Sequence, residues 1–364
     1  MKKVFEIMKN TPSLWKELKS ESKPIVLYGM GDGAVKLLSI LESLGLKCSG
    51  IFASDGFVRY QSFMGFTVKK LSDLEDELGD FTVLSAFATR LDEVIENFYR
   101  IAELHKLKVP DINVSGNHLE IFDEDFVEKH GERLDKTYNA LDGVGKEFFE
   151  AVVLYKYTGE LSYLERIEEL RKASDIPYNP NGIESFADFG AYTGDTILEA
   201  KSLYPRLELI AGYEPDPKTF KKLEANTKDL NCHLFNALIW NEETELVLRS
   251  GGGMNTIIEE NVLMSENLQK KKCASVKATT GDASLPFIPH LIKMDVEGCE
   301  AKAIEGCAKI ISEHKPVLRV SIYHNHRDLF EIFEKISSLN GDYKYTLRQK
   351  CRYVPAWDIE LIAY

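Results

Sequence analysis

The sequence has no cysteine pair at the C-x-x-C spacing and no histidine-rich neighbour beside any of its six cysteines. We therefore expect neither a structural zinc site nor a disulfide framework, and the scattered cysteines are typical of reduced thiols. Basic residues are also short in supply, because 45 lysines and arginines stand against 58 aspartates and glutamates, a formal charge of −13. This balance argues against nucleic acid or an anionic membrane surface as the main partner.

Long apolar runs are missing as well. No stretch approaches the roughly 20 apolar residues that a membrane-spanning helix needs. Residues 1–20 mix lysines and glutamates with apolar side chains, which predicts one amphipathic helix and not a secretory signal. We expect a cytoplasmic protein without a membrane span, and the length of 364 residues predicts two or three domains.

One stretch organises the chain, residues 186–196 (FADFGAYTGDT). An apolar run leads into Asp188, Gly190 and Gly194 follow, and a helical spacing of apolar residues comes next. This order predicts a strand, a tight turn and a helix, whose glycines let a ligand approach the backbone. Asp188 and Asp195 would repel a pyrophosphate, so the turn favours a neutral or cationic nucleoside.

The next apolar run supplies an acidic partner for this turn. It ends in Glu214, at about the offset where a βαβ unit binds ribose hydroxyls with an acid at the tip of its second strand. A third predicted strand covers residues 232–240, and Asn236 and Ala237 lie near its end. We expect these residues to line the same edge of a sheet as the glycine turn.

Residues 24–113 contain a second, dissimilar glycine turn. A short apolar strand ends at Tyr28, and residues 29–34 (GMGDGA) then open a helix. With Asp55 downstream this matches the G-x-G-x-x-A pattern of dinucleotide-binding turns, but Asp32 disfavours phosphate and only about three strands are predicted. The segment resembles the small Rossmann-like domains of sugar-modifying transferases. Two alternatives stay open, a nucleotide-type ligand and an empty structural domain.

A third informative stretch is residues 291–300 (LIKMDVEGCE). In an extended strand the side chains of Lys293, Asp295 and Glu297 share one face. Three charged side chains on one face are costly in a core and reasonable in a cleft. For Glu297 and Glu300 a purely structural role at a helix N terminus stays open.

Four segments together resemble the FkbM family of S-adenosylmethionine-dependent methyltransferases. The resemblance covers about residues 139–364, and the lysine–aspartate–valine–glutamate–glycine run is its most specific mark. The segments that carry it are residues 188–196 (DFGAYTGDT), 213–216 (YEPD), 292–300 (IKMDVEGCE) and 321–324 (SIYH).

The resemblance implies an α/β fold, a class I methyltransferase Rossmann-like fold with a seven-stranded sheet. Its last strands, over residues 343–350 and 358–363, are expected to form an antiparallel hairpin. A smaller Rossmann-like α/β domain and a helical linker precede it. We predict an N-terminal Rossmann-like domain at 1–115, a helical linker region at 116–178 and a methyltransferase domain at 179–364.

The resemblance also implies S-adenosylmethionine as the cofactor. For Asn236, a structural role as a buried amide that is satisfied by the backbone stays equally open. The implied cofactor-binding residues are Asp188, Gly190, Ala191, Tyr192, Gly194, Asp195, Thr196, Glu214, Pro215, Asn236 and Ala237.

The implied reaction is O-methylation of a hydroxyl on a sugar, glycan or related metabolite. A hydroxyl is a weak nucleophile, so a base or a metal must help to remove its proton. The catalytic candidates are Asp295, Glu297 and His324, although His324 could instead only cap a helix. Asp282 could hold Mg²⁺ together with Asp295 and Glu297, but we predict no metal.

Two other classes of function stay open. The first is an NAD- or nucleotide-sugar-binding oxidoreductase that modifies sugars, which is weakened because none of the 16 tyrosines begins a Tyr-x-x-x-Lys pair. The second is a non-catalytic nucleotide-binding protein. The expected partners are a small-molecule or carbohydrate acceptor and a nucleotide-type ligand in the N-terminal domain, with no nucleic acid. Residues 251–256 (GGGMNT) are either a substrate loop or only a turn.

Overall fold

The computed structural model describes residues 1–250, 256–259 and 273–364, so most of the predicted substrate loop lies outside the described residues. Within these ranges every helix is too short or too polar to span a bilayer. The α-helices are α1 (Lys2–Asn10), α2 (Leu14–Ser20), α3 (Asp32–Ser43), α4 (Leu71–Leu78), α5 (Asp92–Leu104), α6 (Glu124–Ala140), α7 (Gly143–Thr158), α8 (Leu161–Ala173), α9 (Asp195–Leu203), α10 (Pro217–Asn226), α11 (Gly281–Ser284), α12 (Glu300–Glu305), α13 (Ala308–His314) and α14 (Asp328–Leu339).

The strands form three sheets, of six, four and seven strands. They are β1 (Ile25–Tyr28), β2 (Cys48–Phe52), β3 (Ser62–Phe63), β4 (Phe66–Lys69), β5 (Thr82–Ser85), β6 (Lys106–Lys108), β7 (Ser185–Phe189), β8 (Leu209–Tyr213), β9 (Cys232–Phe235), β10 (Leu238–Ile239), β11 (Thr244–Ser250), β12 (Thr256–Glu259), β13 (Cys273–Thr279), β14 (Leu291–Met294), β15 (Val317–Ser321), β16 (Tyr345–Gln349) and β17 (Ile359–Ala363).

The N-terminal sheet has the order β3-β4-β2-β1-β5-β6. All neighbours are parallel except β3 and β4, which form an antiparallel pair. The sequence predicted only about three of these six strands. The others were missed because β3, β4 and β6 are two to four residues long and contain charged or polar side chains, so none has a continuous apolar run.

The seven-stranded sheet has the order β16-β17-β15-β14-β7-β8-β9. The strands from β15 to β9 are parallel to their neighbours, whereas β17 is antiparallel to both β15 and β16. This confirms the class I methyltransferase architecture and its final hairpin. The carboxyl ends of β7, β8, β14 and β15 lie at one edge of the sheet, where open α/β sheets bind their ligands.

The predicted strand over residues 232–240 is wrong as a single element. Its first part is β9 in the seven-stranded sheet, and its second part is β10, which pairs with β13 in the four-stranded sheet β10-β13-β11-β12. Asn236 and Ala237 form the bend between the two sheets. The apolar run is continuous in the sequence although its β9 part is only partly buried and its β10 part is fully buried in another sheet.

The single N-terminal helix predicted over residues 1–20 is also wrong, since α1 and α2 are separate. Pro12 lies between them and cannot continue a helix, and the Ser13 hydroxyl accepts a hydrogen bond from the Lys16 amide to cap α2. The α-amino group of Met1 lies 3.5 Å from the carboxylate of Asp135 in α6. Helix α1 therefore packs on the helical region.

The helical region between the two sheets forms as predicted, with α6, α7 and α8. Asp142 caps α7 by accepting a hydrogen bond from the Gly145 amide, and Gly159 ends this helix with a φ of 65°. The buried stripe that the sequence predicted in α7 consists of Phe148, Phe149, Val152, Val153 and Tyr155, all of which are fully buried.

Candidate functional site

The turn after β7 is built around Gly190, which has a φ of +82°. The amides of Gly190 and Ala191 donate to the carbonyl of Tyr213 at 3.0 and 2.9 Å, so the turn is fixed to the end of β8. A Cβ on Gly190 would lie 1.9 Å from the carbonyl oxygen of Asp295. Only glycine fits this position, and its close approach brings the loop after β14 against the turn.

Asp188 is completely buried one residue before the end of β7. It pairs in register with Lys293 of β14, whose ammonium lies 3.3 Å from Oδ1. Burial raises the pKa of Asp188 to about 6, and the Lys293 charge opposes that shift. Oδ2 is buried without a hydrogen-bond partner, so this carboxylate has an acceptor atom that no protein group uses.

Glu214 lies directly after β8 and is 7% exposed. Its two carboxylate oxygens accept hydrogen bonds from the amides of Tyr192, at 3.1 Å, and Asp216, at 2.8 Å. Burial raises the pKa of Glu214 to about 7 although these amides lower it, and the charges of Asp216 and Glu297 raise it further. The glycine turn and the second strand thus meet at this carboxylate.

Asn236 holds the Glu214 segment in place. Its Nδ2 group donates to the carbonyls of Glu214 and Pro215, at 2.8 and 3.0 Å. The backbone satisfies this amide, as one of the two alternatives expected, but Asn236 is exposed and not buried as that alternative had it. Ala237 is buried directly after it, in the bend between β9 and β10.

The remaining predicted residues of the turn differ in exposure. Tyr192 has a φ of +47° and half of its surface is exposed, so its ring covers the outside of the turn. Asp195 is the exposed first residue of α9. Thr196 is buried, and its hydroxyl lies 3.4 Å from the ammonium of Lys350. The side chain of Asp195 therefore lies outside the buried group formed by the other acids.

The loop after β14 contains two of the predicted catalytic acids. Strand β14 ends at Met294, so the expectation of one strand face shared by Lys293, Asp295 and Glu297 is wrong. Instead Glu297 has a φ of +55° and Gly298 a φ of +92°, and the chain turns back on itself. The acids converge through this turn and not through strand alternation.

His324 follows β15 and is fully buried between three carboxylates. Its Nε2 atom lies 3.6 Å from Oδ1 of Asp295 and 3.6 Å from Oε2 of Glu297, and its Nδ1 atom lies 3.1 Å from Oε1 of Glu300. Burial lowers the pKa of His324, but the three carboxylates outweigh it and raise the pKa to about 10. In this arrangement the imidazole is protonated on both nitrogens and positively charged at neutral pH.

The structure also decides between the alternatives that the sequence left open for His324 and Asp282. His324 does not cap a helix, because α14 begins at Asp328 and Arg327 precedes it. Asp282 lies apart from the cluster, since its carboxylate accepts hydrogen bonds from the amides of Lys309 and Ile310 at the start of α13. The magnesium alternative that combined Asp282 with Asp295 is therefore wrong.

Glu300, for which the sequence left a purely structural role at a helix start open, is a member of the cluster. It is 1% exposed, and its Oε1 atom accepts hydrogen bonds from the amides of Val296, at 2.9 Å, and Gly298, at 3.4 Å. It begins α12 as expected, but it also faces His324. Nothing in the local pattern predicts that contact, because it depends on the turn that precedes α12.

The sequence analysis also missed a segment of the N-terminal part that lies directly against the cluster. The amide of Val114 donates to the carbonyl of His324 at 2.7 Å, and the amide of Ser115 reaches the same carbonyl at 3.3 Å. Asn113 accepts a hydrogen bond from the amide of His326 at 2.8 Å. Residues 113–115 thus fix the backbone on both sides of Asn325.

Residues 188–353 match a family model described as the methyltransferase FkbM domain. The crystal structure of methyltransferase FkbM from Methylobacillus flagellatus KT aligns with 99% of this chain and 93% of its own chain, at 18% identity and a TM-score of 0.68. At this identity the likeness shows the fold, and it extends over the N-terminal part as well.

Other solved structures resemble the chain more weakly. A putative rRNA methylase from Clostridium thermocellum covers 50% of this chain and 85% of its own, at 10% identity and a TM-score of 0.30. Human N-acetylserotonin methyltransferase, crystallised in complex with S-adenosylmethionine, covers 65% and 68%, at 10% identity and a TM-score of 0.27. No curated protein matches the sequence.

Proposed function

We propose, from the premise that residues 188–353 form a methyltransferase FkbM domain, that this protein transfers a methyl group from S-adenosylmethionine to a hydroxyl of a sugar, glycan or related metabolite. One observation carries the proposal. The carbonyl of Asp295 lies where a Cβ of Gly190 would be, so the glycine turn and the acid–histidine cluster are in direct contact. A nucleoside-type ligand on the turn would lie beside groups that can handle a hydroxyl proton.

Several features support a fit between the turn and S-adenosylmethionine. Asp188 offers a buried oxygen without a partner, Gly190 lets the turn pack directly against the Asp295 carbonyl, and Glu214 closes the end of the second strand. We propose that Glu214 accepts hydrogen bonds from the ribose hydroxyls and that Asp188 faces the cationic part of the cofactor. Asn236 would act indirectly, by holding Glu214 in place.

We further propose that the cluster receives the acceptor. When bound, S-adenosylmethionine supplies an electrophilic methyl group. Asp295 and Glu297, 24% and 38% exposed, can accept a hydrogen bond from the acceptor hydroxyl and orient its oxygen. His324, protonated and buried behind them, fixes the two carboxylates. Methyl transfer is an in-line displacement, which gains much of its rate from such positioning. The reaction also requires that the acceptor hydroxyl lose its proton.

We also propose how the chain is organised. An N-terminal domain covers residues 1–115, a helical linker covers 116–178, and the methyltransferase domain covers 179–364. We propose a cytoplasmic location and a small-molecule or carbohydrate acceptor. In this view the N-terminal domain supports catalysis through residues 113–115, which hold the backbone of His324 and His326.

Turnover on a panel of hydroxyl compounds tests the proposal. The full-length protein would be incubated with labelled S-adenosylmethionine and with sugars, glycans and small polyols, and the methylated product would be identified by mass and by its methyl-ether NMR signal. Asp295→Asn should lower kcat by about 100-fold or more, since proton transfer by a positioned group contributes on that order. Glu208→Gln, an exposed acid before β8, is the matched control and should keep wild-type turnover.

The same assay can contradict the proposal. A product methylated only on nitrogen, sulfur or carbon would rule out the hydroxyl acceptor. Unchanged turnover in Asp295→Asn would show that the acid–histidine cluster takes no part in the reaction.

A further inference from the structure

The loop between β16 and β17, residues 350–358, carries aromatic rings beside the acid–histidine cluster. The ring centroid of Trp357 lies 6.1 Å from that of Tyr323, at an interplanar angle of 27°, and 6.1 Å from that of Tyr353, at 37°. All three rings are partly exposed, and we call them the aromatic platform. Tryptophan and tyrosine combine an apolar face with a polar edge, so such a group is suited to contact a ligand.

Tyr323 joins the aromatic platform to the cluster. It precedes His324 in the chain, and the centroids of the two rings lie 4.1 Å apart. The Tyr323 hydroxyl donates a hydrogen bond to Oδ1 of Asp295 at 3.3 Å. Asp295 is the acid that we propose for the acceptor hydroxyl. The rest of an acceptor molecule bound there would therefore lie close to these rings.

The loop of residues 350–358 is fixed from two sides. Val354 exchanges two backbone hydrogen bonds with Thr89 of the N-terminal part, at 2.8 and 3.0 Å. The ammonium of Lys350 lies 2.8 Å from the carboxylate of Glu199 in α9, the helix that follows the glycine turn. The backbone that carries the rings is thus held by both parts of the chain, which limits the entropy cost of binding a ligand on them.

A further carboxylate stands beside the aromatic platform. Asp358 directly follows Trp357, has a φ of +58° and is partly exposed. Burial raises the pKa of Asp358 to about 6, with the charge of Asp295 contributing to the rise, so it is largely ionised at neutral pH. Ionised carboxylates only accept hydrogen bonds, so Asp295 and Asp358 together favour a ligand with several donors. A sugar ring carries several hydroxyls around an apolar C–H face.

We propose that the aromatic platform binds the ring face of a pyranose sugar and so determines which acceptor is methylated. This rests on the proposed function, because it places a hydroxyl of the sugar at Asp295. The C–H bonds on one face of a pyranose are weakly positive and are attracted to the negative face of an aromatic ring. Hydroxyls at the rim of the sugar donate to Asp295 and Asp358. Trp357 is then a specificity-determining residue that takes no part in proton transfer.

Tryptophan fluorescence reports on Trp357 directly. All three tryptophans lie in the part of the chain that the structure describes, and Trp15 and Trp240 are buried whereas Trp357 is partly exposed. The full-length protein would be titrated with methyl pyranosides of glucose, galactose and mannose and with sorbitol, an open-chain polyol, with and without S-adenosylhomocysteine. Quenching by acrylamide is followed. We expect at least one pyranoside to protect Trp357 from the quencher and sorbitol to have no effect at the same concentration.

Substitutions separate the ring face from the rest of the site. Trp357→Ala should raise the Kd of the protecting pyranoside about 10-fold or more, the order expected when an aromatic contact is lost. Ligand-observed NMR measures this without the tryptophan signal. Trp357→Phe keeps a ring face and should recover most of the affinity. Phe57→Ala removes a ring that is 70% exposed in the N-terminal part, and this matched control should bind as the wild type does. In the turnover assay Trp357→Ala should raise the KM of a sugar acceptor and leave kcat nearly unchanged.

Any of three results overturns the proposal: no pyranoside protects Trp357, sorbitol protects it equally, or Trp357→Ala binds pyranosides as tightly as the wild type. Thermal melting of each variant establishes that it is folded. The outcome is separable from that of the proposed function, because binding of a pyranoside does not require methyl transfer. A bound pyranoside without any methylated product would contradict the proposed function alone. Methylation of a sugar with an unchanged KM in Trp357→Ala would contradict the role of the aromatic platform alone.

Discussion

The two glycine turns of this protein share their backbone and differ in their surroundings. Each follows a buried parallel strand and opens a helix. Each also begins with a glycine of positive φ, +115° at Gly29 and +82° at Gly190. The Gly29 amide donates to the carbonyl of Phe52 at 2.8 Å, just as the Gly190 amide donates to that of Tyr213 at 3.0 Å. In both cases the turn is tied to the end of the neighbouring strand.

Aromatic side chains pack against the first glycine of the first turn. A Cβ on Gly29 would lie 2.5 Å from the ring of Phe87. Tyr28 stacks on Phe52 with centroids 4.7 Å apart and meets Phe87 edge-on at 4.9 Å. The predicted acid, Asp55, is exposed. A nucleotide-type ligand in this domain remains a prediction, and it would have to displace Phe87.

The second turn is lined by buried acids instead of aromatic rings. Asp188 keeps an oxygen without a partner, and Glu214 closes the neighbouring strand. The comparison teaches that the turn alone does not make a site, because the same backbone can be filled by the protein or left for a ligand. The following predictions test that difference, from the largest expected effect to the smallest.

Asp188→Asn should have the largest effect. It removes one partner of a buried ion pair and leaves Lys293 with only Asp295, at 3.6 Å, as a close counter-charge. We expect the free energy of unfolding to fall by about 3–5 kcal/mol, the usual cost of breaking such a pair. Urea denaturation measures this, with Asp55→Asn of the first turn as a control expected to be near zero. Equal stabilities of the two variants would break the comparison.

Gly190→Ala should come next. The new Cβ would collide with the Asp295 carbonyl and the residue would keep a left-handed conformation, so we expect a loss of about 3 kcal/mol in unfolding free energy. Gly31→Ala in the first turn meets no atom within 4 Å at a φ of −139°, and it should cost little. Chemical denaturation of both variants measures the two losses of unfolding free energy. A harmless Gly190→Ala would show that the turn is not tightly packed.

Thermal shift with S-adenosylhomocysteine and with NAD tests which of the two glycine turns binds a ligand. S-adenosylhomocysteine at 100 times its Kd should stabilise the protein by about 2.7 kcal/mol, as expected for a ligand that binds only the folded state. NAD should give no shift, because Phe87 occupies the space against Gly29. A shift with NAD alone would reverse the roles that we assign to the two turns.

The pH dependence of cofactor binding should give the smallest effect. The pKa of Glu214 is raised to about 7, so its carboxylate is largely protonated below pH 7 and largely ionised above it. If the ionised form accepts from the ribose, affinity for S-adenosylhomocysteine should rise about fourfold from pH 6.5 to 8.5. Glu214→Gln should remove this rise, and Glu208→Gln should keep it. If the affinity still rises with pH in Glu214→Gln, another titrating group is responsible for the pH dependence.

Much of the site was predictable from local pattern. Asp188, Gly190 and Glu214 stand at the ends of apolar runs, and the order of strands, turns and acids repeats with few alternatives. The final hairpin was expected from the family resemblance and not from local pattern, and β16 and β17 do form an antiparallel pair.

Contacts between distant segments could not be predicted in this way. The side-chain Nδ2 group of Asn325 donates to the hydroxyl of Ser115 at 3.1 Å across 210 residues of chain, and neither side carries a local signal for the other. The turn at Glu297, which directs Glu300 towards His324, likewise depends on close packing and not on periodicity. The bend at Asn236 was not predicted because one apolar run in the sequence contributes strands to two different sheets.

The central claim is that the second turn, and not the first, binds the cofactor. Calorimetric titration of the full-length protein with S-adenosylhomocysteine tests it most directly, on the wild type, Glu214→Ala and Asp55→Ala. We predict one micromolar site that Glu214→Ala weakens by about 1–3 kcal/mol, as for a lost hydrogen bond to a charged group, and that Asp55→Ala leaves unchanged. Absence of binding to the wild type, or weakening by Asp55→Ala instead, would contradict the account.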